Sequence, residues 1–244
     1  MAKNSQTLGI IPARFASTRF PGKPLVEIGG KTMVRRVYEQ AQKCAVLDAV
    51  VVATDDERIF SHVNTFGRAV MTSEFHTTGT DRCAEVVRLP EFIDCQLIVN
   101  IQGDEPFIRP EQIGQVVSVF GKNEKAKIAT LAKQIEEVKD LKNPNVVKVV
   151  FGQNGEALYF SRSPIPHVRD FSQSEWFSKH SFFKHIGLYA FRREVLLQIP
   201  NLPKGQLEIA ESLEQLRWME AGIPIGVGIT EFETKGIDTP EDLG

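Results

Sequence analysis

Cysteine is scarce: the 244 residues contain three, Cys44, Cys83 and Cys95. An odd number without CxxC spacing indicates neither a disulfide framework nor a zinc knuckle, and each is read as a small buried apolar residue. The histidines form no HxxxH pair, and His180 and His185 are separated by four residues, so any metal here is expected to be held by oxygen. Long apolar runs are missing as well. No stretch approaches the ~20 residues that span a bilayer, and Met1 to Thr7 is polar, without the hydrophobic segment of a signal peptide. A cytoplasmic protein without membrane insertion is expected. Formal net charge is −2, and the 29 Lys and Arg residues form no polybasic run, which argues against a general nucleic-acid or membrane-surface binder.

Three familiar nucleotide and hydrolase signatures are absent. Gly22-Lys23 is followed by Pro24 and lacks a glycine five residues earlier, so there is no P-loop of the form GxxxxGK(S/T). Gly226-Val-Gly228 runs into Ile229, Thr230 and Glu231, so the dinucleotide pattern GxGxxG fails at its third glycine. No GxSxG elbow occurs, which weakens a serine-hydrolase reading.

Composition is that of an ordinary globular chain, with 42% hydrophobic and 25% charged residues. The length suits one large domain, or one domain with a smaller lobe. Short β-type runs alternate with stretches of helical period, the pattern of an α/β sheet with helices on its faces. Strands are expected at Thr7–Pro12, Ala49–Ala53, Leu97–Gln102, Ile128–Ala132 and Val146–Phe151. Met33, Val34, Val37, Tyr38, Ala41 and Cys44 recur at helical spacing, as do Ile59, Val63 and Phe66 behind a capping Asp55. Pro110 opens a further helix to Phe120. Beyond residue 150 the rhythm changes: Ala157–Phe160 and His185–Phe191 read as strands around an irregular segment from Ser161 to Phe183, too long for an ordinary loop. One amphipathic helix from Leu207 to Ala221 and a strand at Ile225–Ile229 follow.

The first strand runs into Pro12 to Pro24, a loop with three cations (Arg14, Arg19, Lys23) and two hydroxyls (Ser17, Thr18). It lies at the carboxyl end of a strand, where open α/β sheets bind ligands. Arginine offers a planar fork of donors and lysine a point charge, while small residues let backbone N–H groups approach phosphate oxygens, so the loop suits an oligophosphate. The competing reading is a surface loop whose prolines and Gly22 shape turns.

IIPAR-x-x-STR-x-PGKPL at Ile10–Leu25 closely resembles the opening of the 3-deoxy-D-manno-octulosonate cytidylyltransferases, or CMP-Kdo synthetases. Further motifs agree in order: His76-Thr-Thr-Gly-Thr-Asp-Arg82, Asn100-Ile-Gln-Gly-Asp-Glu-Pro106, Asn143-Pro-Asn-Val-Val-Lys148, Tyr159-Phe-Ser-Arg-Ser-Pro-Ile-Pro166, His185-Ile-Gly-Leu-Tyr189, Leu213-Glu-Gln-Leu-Arg217 and Gly236-Ile-Asp-Thr-Pro-Glu-Asp-Leu243. The resemblance covers essentially the whole chain. It implies a single domain over 1–244 with a three-layer, nucleotide-diphospho-sugar-transferase-like fold, in which a mixed, mostly parallel sheet carries a smaller lobe. Residues 1–150 would mainly bind nucleotide, and about 151–220 would bind sugar and form a homodimer. The implied reaction transfers CMP from CTP to the anomeric 2-hydroxyl of an eight-carbon sugar acid for lipopolysaccharide assembly, releasing pyrophosphate.

The resemblance also implies roles. Arg14, Arg19 and Lys23, with Ser17 and the backbone of Ala13, would hold the triphosphate, Arg14 and Lys23 nearest the reacting region. Asp104 and Asp238 would be Mg²⁺ ligands, which agrees with the preference of that ion for one or two carboxylates plus substrate phosphates. One ion would activate the sugar hydroxyl, and a second could accompany the β- and γ-phosphates. Thr78, Gly79 and Thr80 would read the base. Arg162, His185, Glu214 and Gln215 would bind the sugar, with Arg169 nearby and Gln102 beside the nucleophile. Each has a plain structural alternative: Asp104 as a turn residue, Thr80 as a helix cap, Asp238 beside a capping box at Thr239 and Asp242, and Glu208, Glu211 and Glu214 as one solvated helix face.

Three departures stand out. Relatives more often have Ser at Thr78. His167-Val168 replaces an aromatic-acidic pair. The chain stops at Gly244 where many relatives continue a helix, which is expected to affect stability more than chemistry. The rival readings are a cytidylyltransferase for another acid sugar, such as 8-amino-Kdo or a sialic acid, and a non-catalytic nucleotide-binding regulator.

Overall fold

The computed structural model describes residues 6–16, 20–233, 236–237 and 239–243; Ser17, Thr18, Arg19 and Asp238 lie outside them. In chain order the elements are β1 (Gln6–Ala13), β2 (Glu27–Ile28), β3 (Lys31–Thr32), α1 (Met33–Gln42), β4 (Ala49–Thr54), α2 (Glu57–Val63), β5 (Ala69–Met71), α3 (Gly79–Val86), β6 (Cys95–Asn100) and α4 (Pro110–Lys122). They continue with β7 (Ile128–Gln134), α5 (Val138–Lys142), β8 (Lys148–Phe151), β9 (Ala157–Ser161), α6 (Trp176–Lys179), β10 (Phe183–Arg192), α7 (Arg193–Leu196), α8 (Gln206–Glu211), α9 (Glu214–Glu220) and β11 (Ile225–Ile229). The chain divides into two compact units. Met1–Val117, Leu188–Pro200 and Thr234–Gly244 make the first; Ser118–Gly187 and Asn201–Glu233 make the second.

In the first unit the strand order is β10-β6-β1-β4-β5, with the second half of β10 at one edge. β1 pairs in parallel with β4 (Ile10↔Val51) and with β6 (Ile10↔Asn100), while β10 runs antiparallel to β6 (Tyr189↔Asn100). Leu8, Ile10 and Ile11 of β1 and Val51, Val52 and Ala53 of β4 are fully buried, as expected of parallel strands covered on both faces. α1 buries Met33, Val34, Val37, Tyr38 and Ala41 along one stripe. Two expectations are corrected here. α2 is capped by Asp56, whose Oδ1 accepts from the Arg58 amide at 3.0 Å, because Asp55 is turned to Arg82. β6 ends at Asn100, which leaves Gln102 in the following turn.

The second unit holds β11, β7 and the first half of β10, with β8 beside β10 (Lys184↔Lys148) and the hairpin β8–β9 (Val149↔Phe160). β11 and β7 are parallel. Gly226 and Gly228 serve packing: side chains there would come within 2.6 and 2.9 Å of Val119. The irregular segment after β9 has its own small core, in which Val168 and Phe177 pack on Ile135, Leu141, Trp176 and Phe182. The single helix expected from Leu207 to Ala221 is two helices. Ser212, in the left-handed region at φ 52°, ψ 48°, ends α8, and α9 starts at Glu214. Glu208, Glu211 and Glu214 therefore do not share one helix face.

Candidate functional site

In the first unit the carboxyl ends of β1 and β6 gather the expected nucleotide residues. Ala13 is buried at the end of β1, and Arg14 follows it. The Arg14 guanidinium donates through Nη2 to the His76 carbonyl at 2.5 Å, which ties the loop after β1 to the turn before α3. Burial, reinforced by the nearby Arg82 charge, lowers the pKa of Arg14 from its usual value. Farther on, the Gly22 amide donates to the Phe15 carbonyl (2.9 Å) with φ at +72°, a left-handed position that favours glycine. The short 3₁₀ turn that follows carries Lys23 inward: its ammonium donates to Asp104 Oδ2 at 2.9 Å. Of these two side chains, that of Lys23 is 11% exposed and that of Asp104 38%.

Asp104 sits in the turn after β6 beside Gly103, where a Cβ would come within 2.6 Å of the Pro12 carbonyl. That close approach seats the acid at the end of β1. The Asp104 carbonyl accepts from the Ile237 amide at 3.0 Å, so the chain reaches the same place one residue before Asp238. Thr239 then meets Asp242 in the expected capping arrangement, its amide 3.0 Å from Oδ2. Gln102 is half-buried in the turn, its carbonyl accepting from the Glu105 amide at 3.3 Å.

α3 opens on a capping box. Thr78 Oγ1 accepts from the Asp81 amide at 3.0 Å and the Asp81 carboxylate accepts from the Thr78 amide at 3.2 Å. The cap is thus Thr78 rather than Thr80, which is buried inside the first turn; a β-region backbone at Thr78 (φ −126°) suits the N-cap position. Behind the turn, Glu85 holds the His76 ring and the Ser73 amide (2.9 Å). Arg82 is fully buried, with Nη2 on Asp55 at 2.8 Å and Nη1 on Thr72 Oγ1. Neither Asp55 nor Glu85 was singled out as a supporting acid from the sequence. The acidic residue facing each cation is set by tertiary contact, and only the Arg82 position within its motif pointed there.

The expected sugar residues belong to the second unit. His185, on β10, sits edge-on to Phe160, with ring centroids 5.1 Å apart. Its Nε2 lies 2.9 Å from Thr130 Oγ1, and that hydroxyl donates to the Ile186 carbonyl at 3.1 Å. With the hydroxyl proton so directed, Nε2–H is the donor and Nδ1 an acceptor. Burial pushes the His185 pKa down to about 3, so the imidazole is neutral at physiological pH. Arg162 spends three of its five N–H groups on carbonyls: Nε on Glu211 (2.7 Å), Nη1 on Pro144 (3.0 Å) and Nη2 on Ser212 (3.4 Å). Lys148, fully buried, braces the same segment through the carbonyls of Asn143 (3.0 Å), Val146 (2.6 Å) and Arg162 (2.5 Å).

Glu214 pairs with Arg217 Nη2 at 3.0 Å, and Arg217 Nε also meets Glu208 at 3.1 Å. Gln215 is buried. Glu211 turns instead to Ser161 Oγ (2.6 Å) and the Arg162 amide (2.9 Å). Arg169 stands exposed, 3.4 Å from Asp170.

Among the described residues no three His, Cys, Asp or Glu side chains gather at a point that could hold a metal. A divalent ion bound here would rest on one or two carboxylates and substrate phosphates, and Asp104 fits: it is a hard oxygen donor, part-exposed and fixed at the ends of β1 and β6. Among the described residues no helix is long and apolar enough to cross a membrane.

Comparison with known proteins gives the family and the fold. A family model described as cytidylyltransferase matches residues 8–227. The 3-deoxy-manno-octulosonate cytidylyltransferase of Parabacteroides distasonis is 56% identical over 97% of this chain and 94% of the relative. That of Cytophaga hutchinsonii is 50% identical over 100% and 97%. A solved CMP:2-keto-3-deoxy-manno-octonic acid synthetase complexed with CTP superposes with a TM-score of 0.90 at 42% identity, covering 98% of this chain and 95% of that one. At 15% identity and a TM-score of 0.62, 4-diphosphocytidyl-2C-methyl-D-erythritol synthase from Anaerococcus prevotii shares the fold.

Proposed function

This chain belongs to the cytidylyltransferase family, and from that premise we propose that it transfers CMP from CTP to the anomeric 2-hydroxyl of 3-deoxy-D-manno-octulosonate, releasing pyrophosphate. The observation that carries the reading is 56% identity, over nearly the full length, to a 3-deoxy-manno-octulosonate cytidylyltransferase.

The hydroxyl attacks the α-phosphorus, its proton passes to solvent, and the bond to the β-phosphate breaks. Lys23 and Arg14 offset the charge of the triphosphate and of the departing pyrophosphate; Arg19 and Ser17 belong to the same loop. Two opposed unit charges 4 Å apart interact by about 4 kcal/mol at an effective dielectric near 20, so each fixed cation counts. Asp104 and Asp238 would hold Mg²⁺. Bound there, the ion would lower the pKa of the attacking hydroxyl and screen the α-phosphate. No protein nucleophile enters the reading, so labelled pyrophosphate should not exchange into CTP without sugar.

The turn at Thr78, Gly79 and Thr80 takes the base, and Gln102 lies beside the nucleophile. In the second unit Arg162 takes the sugar carboxylate, a role the neutral His185 cannot share; His185 meets the sugar as an uncharged ring. Glu214 and Gln215 complete that set, with Arg169 nearby. The protein works in the cytoplasm as a homodimer, supporting lipopolysaccharide assembly. The test is pyrophosphate release with each ribonucleoside triphosphate against Kdo, 8-amino-Kdo and a sialic acid. Release with CTP and Kdo above all other pairs is expected; none with that pair would overturn the reading.

A further inference from the structure

We propose that Arg58 is a positioning residue for the nucleotide: stacked on the Phe15 ring, its guanidinium clasps the base of the loop that carries Arg14 and Lys23, and so sets the affinity for CTP without touching it. Those two cations stand just outside Phe15 and Gly22, whose backbones meet where the Gly22 amide donates to the Phe15 carbonyl at 2.9 Å. One hydrogen bond thus sets the spacing of the two charges. Each cation has its own tether as well, Arg14 on the His76 carbonyl and Lys23 on Asp104.

The ring of Phe15 ties that junction to the rest of the first unit. A Cβ at Gly22 would come within 3.2 Å of Phe15 Cζ, so the ring lies against the glycine. The guanidinium carbon of Arg58 is 3.3 Å from the centroid of the same ring, the distance of a close stack, and the planar, weakly hydrated head group of arginine suits an aromatic face. Asp56 holds the guanidinium there: Oδ1 accepts from Arg58 Nε at 3.0 Å and Oδ2 from Nη2 at 2.6 Å, a bidentate pair. The same Oδ1 accepts from the Arg58 amide as the cap of α2. A run of contacts therefore leads from the start of α2 through Arg58 and Phe15 to Gly22, all within one compact unit.

Preorganisation is what such a clasp supplies. A loop that must be ordered as its ligand arrives binds more weakly than one already in place. Direct contact of Arg58 with phosphate is the competing role, and Asp56 separates the two by sign. If Arg58 met phosphate, the adjacent Asp56 charge would weaken the attraction, and removing that charge would tighten CTP binding. If Arg58 acts through Phe15, removing the Asp56 charge loosens the clasp and weakens CTP binding. The inference rests on the reading of Arg14 and Lys23 as triphosphate ligands and adds the residue that spaces them.

The experiment compares Arg58→Gln, Phe15→Leu, the two together, and Asp56→Asn, which keeps a good helix cap but removes the charge. Readouts are the KM values for CTP and Kdo, and CTP affinity by calorimetry without sugar. Arg58→Gln should raise the CTP KM about two- to fivefold, the weight of one exposed cation–π contact, and leave the Kdo KM within about twofold. Phe15→Leu should raise the CTP KM at least as far, and adding Arg58→Gln to Phe15→Leu should change it no further, as expected of two residues acting through one contact. Asp56→Asn should raise the CTP KM, and with Arg58→Gln it carries the test if Phe15→Leu does not fold. An unchanged CTP KM in Arg58→Gln, an equal rise in the Kdo KM, a full further effect in the Phe15→Leu background, or an unchanged or lowered CTP KM in Asp56→Asn would overturn the assignment. Should the native protein release no pyrophosphate with CTP and Kdo, the reading of the function fails, and calorimetry on the same variants still judges the clasp by itself.

Discussion

Asp104 faces Lys23 through its carboxylate and Ile237 through its carbonyl, which separates its chemical from its structural role. Its side chain is more than a third exposed, so the ion pair with Lys23 contributes at the modest level of surface pairs, roughly 0–1 kcal/mol. Asp104→Asn, and likewise Asp238→Asn, should cut turnover by orders of magnitude in a pyrophosphate-release assay. In thermal denaturation Asp104→Asn should move Tm by only a few degrees; near-normal rates would reject the metal roles. His185 behaves oppositely, since its depressed pKa bears on stability. The unfolded imidazole takes a proton near its ordinary value of 6.5, while the folded one resists until about 3. The unfolded state therefore binds more protons between those values, and stability falls as pH drops through that window. His185→Gln should flatten the acid side of a plot of urea-unfolding free energy against pH. Its place on a strand was legible from the alternating pattern of residues 185–191. Its neutrality was not, because that follows from burial, which tertiary packing alone sets.

Among the elements, α3 shows how a cap positions a site. Thr78→Ala should cost about 1 kcal/mol through loss of the box with Asp81, which for a chain of this size is a fall in Tm of roughly 2–4 °C. Thr78→Ser should recover most of it, since the methyl takes no part in the hydrogen bond; a serine variant as unstable as the alanine one would contradict the cap. The pair α8–α9 teaches a different lesson. Apolar residues keep a helical spacing from Leu207 to Ala221 with neither glycine nor proline between, so nothing local marks an end. The helix stops because Glu211 is drawn to Ser161 and the Arg162 amide, and Ser212 takes up the turn at positive φ. Period alone cannot register a partner fifty residues away.

For the molecule as a whole, the proposed homodimer draws support from the second unit. Leu158 is 63% exposed, and it borders an apolar hollow of about 330 Å³ that Phe151, Ile165 and Phe182 also line. Exposed apolar surface of this kind marks an interaction site. Leu158→Asp should shift sedimentation velocity from a dimer to a monomer; a native protein that sediments as a monomer would remove the dimer from the account. The two units also separate the expected ligands, with Arg14, Lys23 and Asp104 in the first and Arg162, His185 and Glu214 in the second.

Read alone, the sequence determined the α/β class, most strand positions and the family, because buried parallel strands appear as apolar runs and short motifs keep their residue types in order. It also placed Lys23 and Asp104 at strand ends, where open sheets present their loops. Only the tertiary structure decided that Lys23 meets Asp104, that Asp56 and Thr78 are the caps, that Arg162 is held by carbonyls and that Arg82 is buried against Asp55. Each of these depends on which distant atoms come within about 3 Å and on how much water remains between them, and folding alone sets those quantities.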